Sequence, residues 1–373
     1  MRTFILTLPH TSDSHRKQHV TWSSQTHTQR YVCVAIRGAA LALLLLALAV
    51  PSIAQPAALL ISTAPVDGTV PTIRKIPLTG ANLGIFASVG LNGALGLALD
   101  RAGNVYAANV GDGTIHRFSA TGADLGVFAA VQEPLALTFD RAGNLFVSDI
   151  FNNTIHKFSE TGQDLGAVTS LLGFGCPADL VVNRSGNLLV VDPCVSVIRE
   201  FSPTGESLGV FASAGLSAPL GIALDNSGNV FVSNTAGLFK NTIHEFSATG
   251  QDLGLFASTG LAFPARLAID RIGNVFAANM QQLPGAASGE FSIRKFSPAK
   301  DDLGDFATLT GVPLALVITA PAFAGTPGMP NCHGRSISRL NHQFGNIRAA
   351  VSALGLPSVR ALQQAIDVFC EIR

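Results

Sequence analysis

Short apolar runs separated by turn signals recur along residues 57–319. In one copy the runs are Leu135–Phe139, Leu145–Ser148, Thr154–Phe158 and Leu165–Val168. Runs of this length that are rich in Val, Ile, Leu and Phe and bounded by Gly-Asn and Thr-Gly dipeptides indicate β-strands joined by hairpins. No copy contains a ten-residue stretch with the helical period, so the pattern does not support a helical solenoid.

The turn between the first two runs of each copy identifies a repeat. Its pattern is Asp/Asn-x-x-Gly-Asn, in which the first side chain bonds the backbone ahead of it and Gly supplies positive φ. Successive copies lie 40, 43, 42 and 45 residues apart, beginning at Asp100, Asp140, Asn183, Asp225 and Asp270. Four antiparallel strands in a repeat of ~40–45 residues predict a β-propeller.

The two ends of the repeat region predict how the ring closes. Ahead of the first full copy, Leu59–Thr63, Thr72–Ile76 and Leu83–Phe86 match a second, a third and a fourth strand. After the last copy, Pro313–Ile318 matches a first strand and nothing more. Joined, these fragments make one composite blade, which removes the open edge of the ring. The prediction is an all-β, six-bladed propeller of four-stranded blades over residues 55–319.

Two strand motifs carry a resemblance to a known family. Val105–Asn109 followed by Thr114–Phe118 resembles the NHL-repeat pattern of a strand, an Asp or Asn, a loop, and an Ile and a Phe in the next strand. A more distant similarity is to gluconolactonase-like and streptogramin-lyase-like six-bladed propellers. The gluconolactonase-like resemblance implies a carboxylate, an Asn and an Asp that converge on a divalent ion at the central channel.

The beginning of the chain predicts export. Residues 1–54 contain five Lys or Arg against one acidic residue, and residues 39–50 are an unbroken apolar run. A membrane span needs ~20 apolar residues, so this run is typical of a signal peptide. We predict cleavage after Ala54 and a periplasmic or extracellular protein with no membrane span; an uncleaved anchor is the alternative.

Charge limits the classes of partner. The whole chain has a net charge of zero, with 47% hydrophobic and 13% charged residues, and the basic leader leaves the remainder acidic. Nucleic-acid binding needs clustered positive charge, so it is not expected. The only Trp, Trp22, lies in the leader, which disfavours a sugar-binding platform. We expect a monomer that binds a protein or a small molecule.

Four cysteines follow the leader, an even number for an oxidising compartment. Cys176 precedes the first strand of its blade and Cys194 follows the second. Since these strands are antiparallel neighbours, both cysteines emerge at the same end, and we predict a Cys176–Cys194 disulfide. The other two cysteines, Cys332 and Cys370, flank the chain's last segment and are predicted to form a second disulfide.

That last segment, residues 331–373, follows an Ala/Pro/Gly-rich linker at 320–330. Apolar residues at helical spacing predict helices over Ser336–Phe344, Ile347–Leu354 and Val359–Phe369. So short a tail has a thin core and needs a cross-link. A zinc site that combines the two cysteines with two nearby histidines is the alternative to the disulfide.

One polar residue ends the second strand of each full copy. The residue is Asn or Asp, whose side chains favour local hydrogen bonds to the backbone, and this predicts a capping role. It also lies on the face where the central channel opens, so a ligand-binding role stays open. The members of this set, here called the Asn/Asp ring, are Asn109, Asp149, Asp192, Asn234 and Asn279.

Departures from the repeat mark a second candidate site. Aligned first strands share one position near the channel mouth, here called the inner ring: Gly96, Ala136, Asp179, Gly221, Arg266 and Ala315. Four members are small and two are charged, and a charge at a dry position costs energy unless it is paired or functional. Glu133 adds a carboxylate just before one strand. Two interpretations stay open: an Asp179–Arg266 ion pair, or a polar site of Glu133, Asp179 and Arg266 with Asp149 and Asp192.

These residues lead to two functional hypotheses. The first is an exported binding or interaction module that works through the channel-mouth face and needs no cofactor. The second is a metal-assisted lactonase or lyase, in which Glu133 with Asp149 or Asp192 and a nearby Asn would bind a divalent cation. The sequence contains no phosphate loop or Cys-x-x-Cys pair that would favour another chemistry.

Overall fold

A computed structural model describes residues 57–65, 70–80, 84–170, 175–235, 241–282, 290–319, 347–348, 351 and 358–371. The predicted leader, the linker and most of the tail lie outside these residues. Cys332 and the side chain of Cys370 lie outside them too, so their pairing stays a prediction. Within the described part, 24 strands form six four-stranded antiparallel sheets, which are the blades of a propeller.

Five blades are built from strands that are consecutive in the chain. Blades 1 and 2 contain β4 (Ala94–Leu99), β5 (Val105–Asn109), β6 (Thr114–Phe118), β7 (Asp124–Ala130), β8 (Pro134–Phe139), β9 (Leu145–Asp149), β10 (Thr154–Phe158) and β11 (Asp164–Ser170). Blade 3 contains β12 (Asp179–Val182), β13 (Leu188–Asp192), β14 (Val197–Phe201) and β15 (Ser207–Ala212). Blades 4 and 5 contain β16 (Pro219–Leu224), β17 (Val230–Asn234), β18 (Thr242–Phe246), β19 (Asp252–Ala257), β20 (Pro264–Ile269), β21 (Val275–Asn279), β22 (Phe291–Phe296) and β23 (Asp302–Leu309).

The sixth blade joins the two ends of the repeat region, as predicted. Its first strand is β24 (Gly311–Thr319), and it continues with β1 (Ala58–Pro65), β2 (Thr72–Pro77) and β3 (Gly84–Ala87). β1 pairs with β24 from Ala58↔Thr319 to Pro65↔Gly311. The ring is therefore closed by backbone pairing between residues more than 240 positions apart, and no inner edge is left open.

The hydrophobic core lies between neighbouring blades. The second strand of each full copy is buried along its whole length, because side chains on both of its faces contact another blade. One cluster joins Leu60 and Ile73 of the composite blade to Val105 and Phe118 of blade 1. The third strands bury their Ile and Phe positions in every full copy, which explains why those two residues recur; in β22, Ser292 is buried as well.

The repeated turn forms as the sequence predicts. In blade 1 the Asp100 carboxylate accepts hydrogen bonds from the backbone amide of Asn104 at 2.8 Å and from its side-chain Nδ2 at 2.7 Å. Gly103 has a φ of 83°, a conformation that costs Gly little and other residues more. Each turn joins the first strand of its blade to the second on the face opposite the channel mouth.

The Cys176–Cys194 disulfide is present, with a Cα–Cα distance of 5.8 Å. It links the segment that leads into β12 to the residues that follow β13. Both cysteines lie at the mouth face, which is defined here as the face where first strands begin and second strands end. The geometric argument from antiparallel neighbours is confirmed.

The last described element is helix α1 (Val359–Glu371). The Ser358 hydroxyl accepts a hydrogen bond from the amide of Ala361 at 3.1 Å, so Ser358 is the N-cap. Leu362 and Ile366 are fully buried. The prediction of a helix at this position is confirmed. Among the described helices, none has the length and apolar character needed to cross a membrane.

Candidate functional site

The first strands of all six blades surround a cavity of about 290 Å³ in the central channel. Strand pairing confirms the alignment that defines the inner ring. Gly96, Asp179 and Ala315, for example, pair with equivalent positions of their second strands: Ala108, Val191 and Ser62. Except for Gly221, every member of the inner ring lines the cavity.

The inner ring is small in most blades because each position faces the next inner strand. A Cβ atom on Gly221 would lie 2.8 Å from the carbonyl oxygen of Ala265 and 3.0 Å from the Cα of Arg266. A Cβ atom on Gly96 would meet the carbonyl oxygen of Leu135 even more closely. Close backbone approach between blades therefore excludes larger side chains at these two positions.

Asp179 breaks this rule in blade 3. One carboxylate oxygen accepts a hydrogen bond from the amide of Leu180 at 3.0 Å, and the other accepts one from the amide of Ile222 in β16 at 3.1 Å. The side chain thus bridges the inner strands of blades 3 and 4. Burial raises the pKa of Asp179, and the nearby Arg266 guanidinium opposes this shift.

Arg266 is the second charged member of the inner ring, two blades away. Its Nη1 donates a hydrogen bond to the carbonyl oxygen of Ala265 at 3.1 Å. In the described part of the chain, no hydrogen bond or ion pair joins Arg266 to Asp179. The two side chains face one cavity and interact through space, so the interpretation as a direct ion pair does not hold.

The three Asn members of the Asn/Asp ring are buried and bonded within their own blades. The Oδ1 of Asn234 accepts a hydrogen bond from the amide of Ser217 at 3.0 Å, and its Nδ2 donates to the oxygens of Gly215 and Thr242 at 2.8 and 3.0 Å. The same set of bonds recurs around Asn109 and Asn279. These residues tie the segment leading into the first strand to the second strand.

The two Asp members bond differently, since a carboxylate cannot donate. Asp149 accepts hydrogen bonds from the amides of Phe151 and Asn152 and from the Asn152 side chain, so it caps the loop that follows it. Asp192 accepts from the amide of Cys176 at 3.3 Å and forms an ion pair with Arg199 at 3.0 Å. Both carboxylates are buried, and neither lines the cavity.

Glu133 is placed apart from the cavity. Its side chain is partly exposed and makes no hydrogen bond or ion pair with the described residues, while its backbone oxygen accepts from the amide of Ile150 at 3.1 Å. The structure thus brings Asp179 and Arg266 together and leaves Glu133, Asp149 and Asp192 outside the cavity wall.

One polar residue of the cavity was missed by the sequence reasoning. Thr138 lines the wall from β8 and adds a hydroxyl group. Two residues beyond the inner ring, the other blades carry only Ala or Val at the aligned position: Ala98, Val181, Ala223, Ala268 and Val317. The same search for departures from the repeat, applied one position further, identifies it.

Possible metal ligands among the described residues gather at one place outside the cavity lining. One group of three or more His, Cys, Asp or Glu has ligand atoms within 4.8 Å of one another: Cys176, Asp192 and Cys194. Its two sulfur atoms are bonded to each other. The acidic residues expected to bind an ion, Glu133, Asp149 and Asp192, do not line the cavity.

Comparison with known proteins supports the fold and does not identify a function. No family model matches the chain, and no curated protein matches it. A Bacteroides caccae protein of unknown function superposes with a TM-score of 0.55 at 17% identity, over 71% of this chain and 99% of the other. A gluconolactonase from Xanthomonas campestris superposes with a TM-score of 0.51 at 17% identity, over 72% of this chain and 94% of the other. The molecule shares the β-propeller fold with both.

Proposed function

We propose that this protein is a binding module that holds a small ligand in the central channel. The observation that carries the proposal is the pair Asp179 and Arg266, which face a common cavity without contacting each other. The broader form of the same hypothesis is that the mouth face binds a protein partner. The cavity favours the narrower form because its charged groups lie inside the ring.

The energetic argument begins with the surroundings of the two charges. The inner-strand side chains that line the cavity with them are aliphatic, apart from Thr138. A charge in such surroundings loses part of its hydration, and the attraction between two charges that do not touch does not offset that cost. Evolution tolerates this cost mainly at sites that bind or react, where a ligand supplies the missing partners. Binding therefore accounts for both charged residues with one function.

The lactonase alternative has weaker support. The similar gluconolactonase shows only a shared architecture at this identity. The residues expected to hold a divalent ion are bonded elsewhere, as for Asp149 and Asp192, or lie away from the cavity, as for Glu133. This donor set does not fit the ion, so no catalytic step is derived through it.

The disulfide also bears on where the protein works. Cys176–Cys194 is stable in an oxidising compartment, which agrees with the export signal predicted for residues 1–54. We propose that the mature protein acts in the periplasm or outside the cell. Mass spectrometry of the protein recovered from its host would show whether the chain begins after Ala54; a chain retaining the leader would contradict cleavage.

Equilibrium dialysis tests the channel site. The full chain and an Asp179→Ala/Arg266→Ala variant are dialysed against a low-molecular-mass metabolite extract, and bound compounds are measured by mass spectrometry. We expect compounds enriched on the wild type and lost from the double variant. Lys300→Ala is the control, because it removes an ion pair with Glu245 at 3.1 Å on another part of the surface. Equal enrichment on all three proteins would argue against a channel site.

A further inference from the structure

We propose that the channel ligand is a small zwitterion whose carboxylate binds Arg266 and whose ammonium group binds Asp179. This inference rests on the proposed function and names the ligand class of the same site. Three features of the site favour this ligand: unused bonding capacity on both side chains, the two opposite charges, and the volume of the cavity.

Arg266 has donors to spare. A guanidinium group carries five N–H donors in a planar fork that matches a carboxylate with two parallel bonds. One of these donors is used, by the carbonyl oxygen of Ala265. No other hydrogen bond or ion pair of Arg266 occurs in the described part of the chain. The group that fits its remaining donors is a carboxylate.

Asp179 has acceptors to spare. Each carboxylate oxygen accepts one backbone N–H, from Leu180 and from Ile222. An ionised carboxylate can accept about four hydrogen bonds, so roughly half of its capacity remains. These backbone donors are neutral and leave its negative charge unpaired. An ammonium group supplies both the missing donors and the opposite charge.

The charge of the cavity selects a ligand with both groups. A simple anion would neutralise Arg266 but would place a second negative charge near Asp179. A simple cation would neutralise Asp179 but would place a second positive charge near Arg266. A zwitterion pairs with both residues and adds no net charge to a cavity whose other lining side chains are aliphatic apart from Thr138. Both charged residues line the same cavity, so one ligand bound there faces both of them.

The volume limits the size of this ligand. At about 290 Å³, the cavity lies at or below the lower end of the ~300–1,000 Å³ range of drug-sized sites. The aliphatic lining, including Ile222, Leu267 and Leu316, suits a short hydrocarbon portion. The Thr138 hydroxyl offers one more hydrogen bond. A free amino acid with a small aliphatic portion meets these requirements.

Thermal unfolding and calorimetry of the full chain test the inference. The probes are L-alanine, β-alanine and γ-aminobutyrate, which are zwitterions of increasing charge separation. Propionate and propylamine are the matched probes that carry one charge each. We expect at least one zwitterion to bind about tenfold or more tightly than either single-charge probe, because each charge-assisted contact contributes separately.

Variants assign the two contacts. Asp179→Asn should reduce zwitterion affinity by about tenfold or more, and it should leave propionate affinity unchanged or raise it, because the negative charge that opposes an anion is removed. Arg266→Gln should weaken the binding of both probes. Thr138→Val serves as a milder variant if either substitution prevents folding. Asp305→Asn is the control, since it changes a carboxylate that pairs with Arg294 outside the channel.

The possible outcomes separate the two proposals. Propionate or propylamine bound as tightly as every zwitterion, and lost from the channel variants, would overturn the zwitterion inference and leave the binding function standing. No binding by any probe would also overturn the inference. The binding function itself falls only if the dialysis experiment likewise finds no compound that depends on Asp179 and Arg266.

Discussion

Polar residues occur in two rings around the same channel, and the two rings behave in opposite ways. The Asn/Asp ring is repeated in every full copy, is buried, and has its hydrogen bonds satisfied within the protein. The charged pair of the inner ring occurs in two blades only and keeps free bonding capacity. The comparison suggests a rule for repeat proteins: a polar residue that recurs in every copy stabilises the fold, and a polar residue that interrupts the repeat marks a candidate binding site.

The reason is physical. A scaffold bond must form in each blade, so the residue that makes it recurs with the repeat. A ligand occupies one place on the ring axis and contacts only some blades. Its binding residues therefore break the symmetry, as Asp179 and Arg266 do. Four predictions test this contrast, from the largest expected effect on stability to the smallest.

Asn234→Asp should destabilise the propeller most. The isosteric carboxylate cannot donate to the carbonyl oxygen of Gly215, and it places a buried negative charge against that oxygen. The Thr242 hydroxyl, which accepts from Asn234, must rotate to donate to the carboxylate instead. We expect the free energy of unfolding to fall by about 4 kcal/mol, measured by chemical denaturation. Asn226→Asp is the control, because Asn226 is exposed and makes one bond. Equal losses in the two variants would contradict a scaffold role for the ring.

Removal of the disulfide should come next. In blade 3 the ring member is Asp192, which cannot donate to the preceding segment as Asn does, and the Cys176–Cys194 bond ties that segment covalently. Cys176→Ser/Cys194→Ser should lower the free energy of unfolding by about 3 kcal/mol. Reductant should destabilise the wild type by at least this amount and the variant by less, because the variant keeps only the predicted Cys332–Cys370 disulfide. Equal losses on reduction of the two proteins would contradict a stabilising role for Cys176–Cys194.

Gly221→Ala should have an intermediate effect. The added methyl would lie 2.8 Å from the carbonyl oxygen of Ala265, so blades 4 and 5 must move apart. We expect a loss of about 2 kcal/mol in thermal or chemical unfolding. Gly84→Ala is the matched control, since its methyl would meet only the Lys75 oxygen at 4.0 Å. If Gly221→Ala proved as harmless as Gly84→Ala, close blade packing would not explain the small inner ring.

Asp179→Ala should lower the free energy of unfolding least, by about 1 kcal/mol at neutral pH, and it should abolish the ligand binding proposed for the channel. Because burial raises the pKa of Asp179 in the folded protein, folding makes the charged carboxylate less favourable than it is in the unfolded chain. Any stabilisation by Asp179 is thus fully present below the pKa of the unfolded chain and is lost as pH rises through the folded pKa.

Denaturation of the wild type and of Asp179→Ala at a series of pH values measures this dependence. The stability of the wild type relative to the variant should fall as pH rises from the unfolded pKa of Asp through the raised folded value. The effects of other groups cancel in this difference. A relative stability that rises with pH would show that the folded protein prefers the charged carboxylate.

The contrast also explains which parts of the structure could be predicted. Strands, turns and blade count follow from local signals, because Asp100 and Gly103 specify a turn and Ile115 and Phe118 specify a buried face. The composite blade follows from counting the strands missing at each end. The disulfide follows because Cys176 and Cys194 flank paired strands.

The candidate site was only partly predictable. Asp179 and Arg266 were identified because they depart from the repeat, and the structure places both at one cavity. Asp149 and Asp192 were grouped with them because they lie on the same face. Hydrogen-bond direction separates them: these carboxylates point to the amides of Phe151 and Cys176 and away from the channel. Such a direction depends on side-chain rotamers and loop geometry, which the repeat pattern does not contain.

The sequence alone determined the architecture, because a period of about 40 residues and its turn chemistry are local and are written five times. The tertiary structure alone decided which polar groups lack partners. Asp149 and Asp179 are the same residue type. The carboxylate of Asp149 accepts its hydrogen bonds from its own loop, whereas that of Asp179 accepts one from the neighbouring blade and also lines the cavity. Whether a polar group has a hydrogen-bond partner depends on the distances between segments that are far apart in the chain, and only the closed ring brings those segments together.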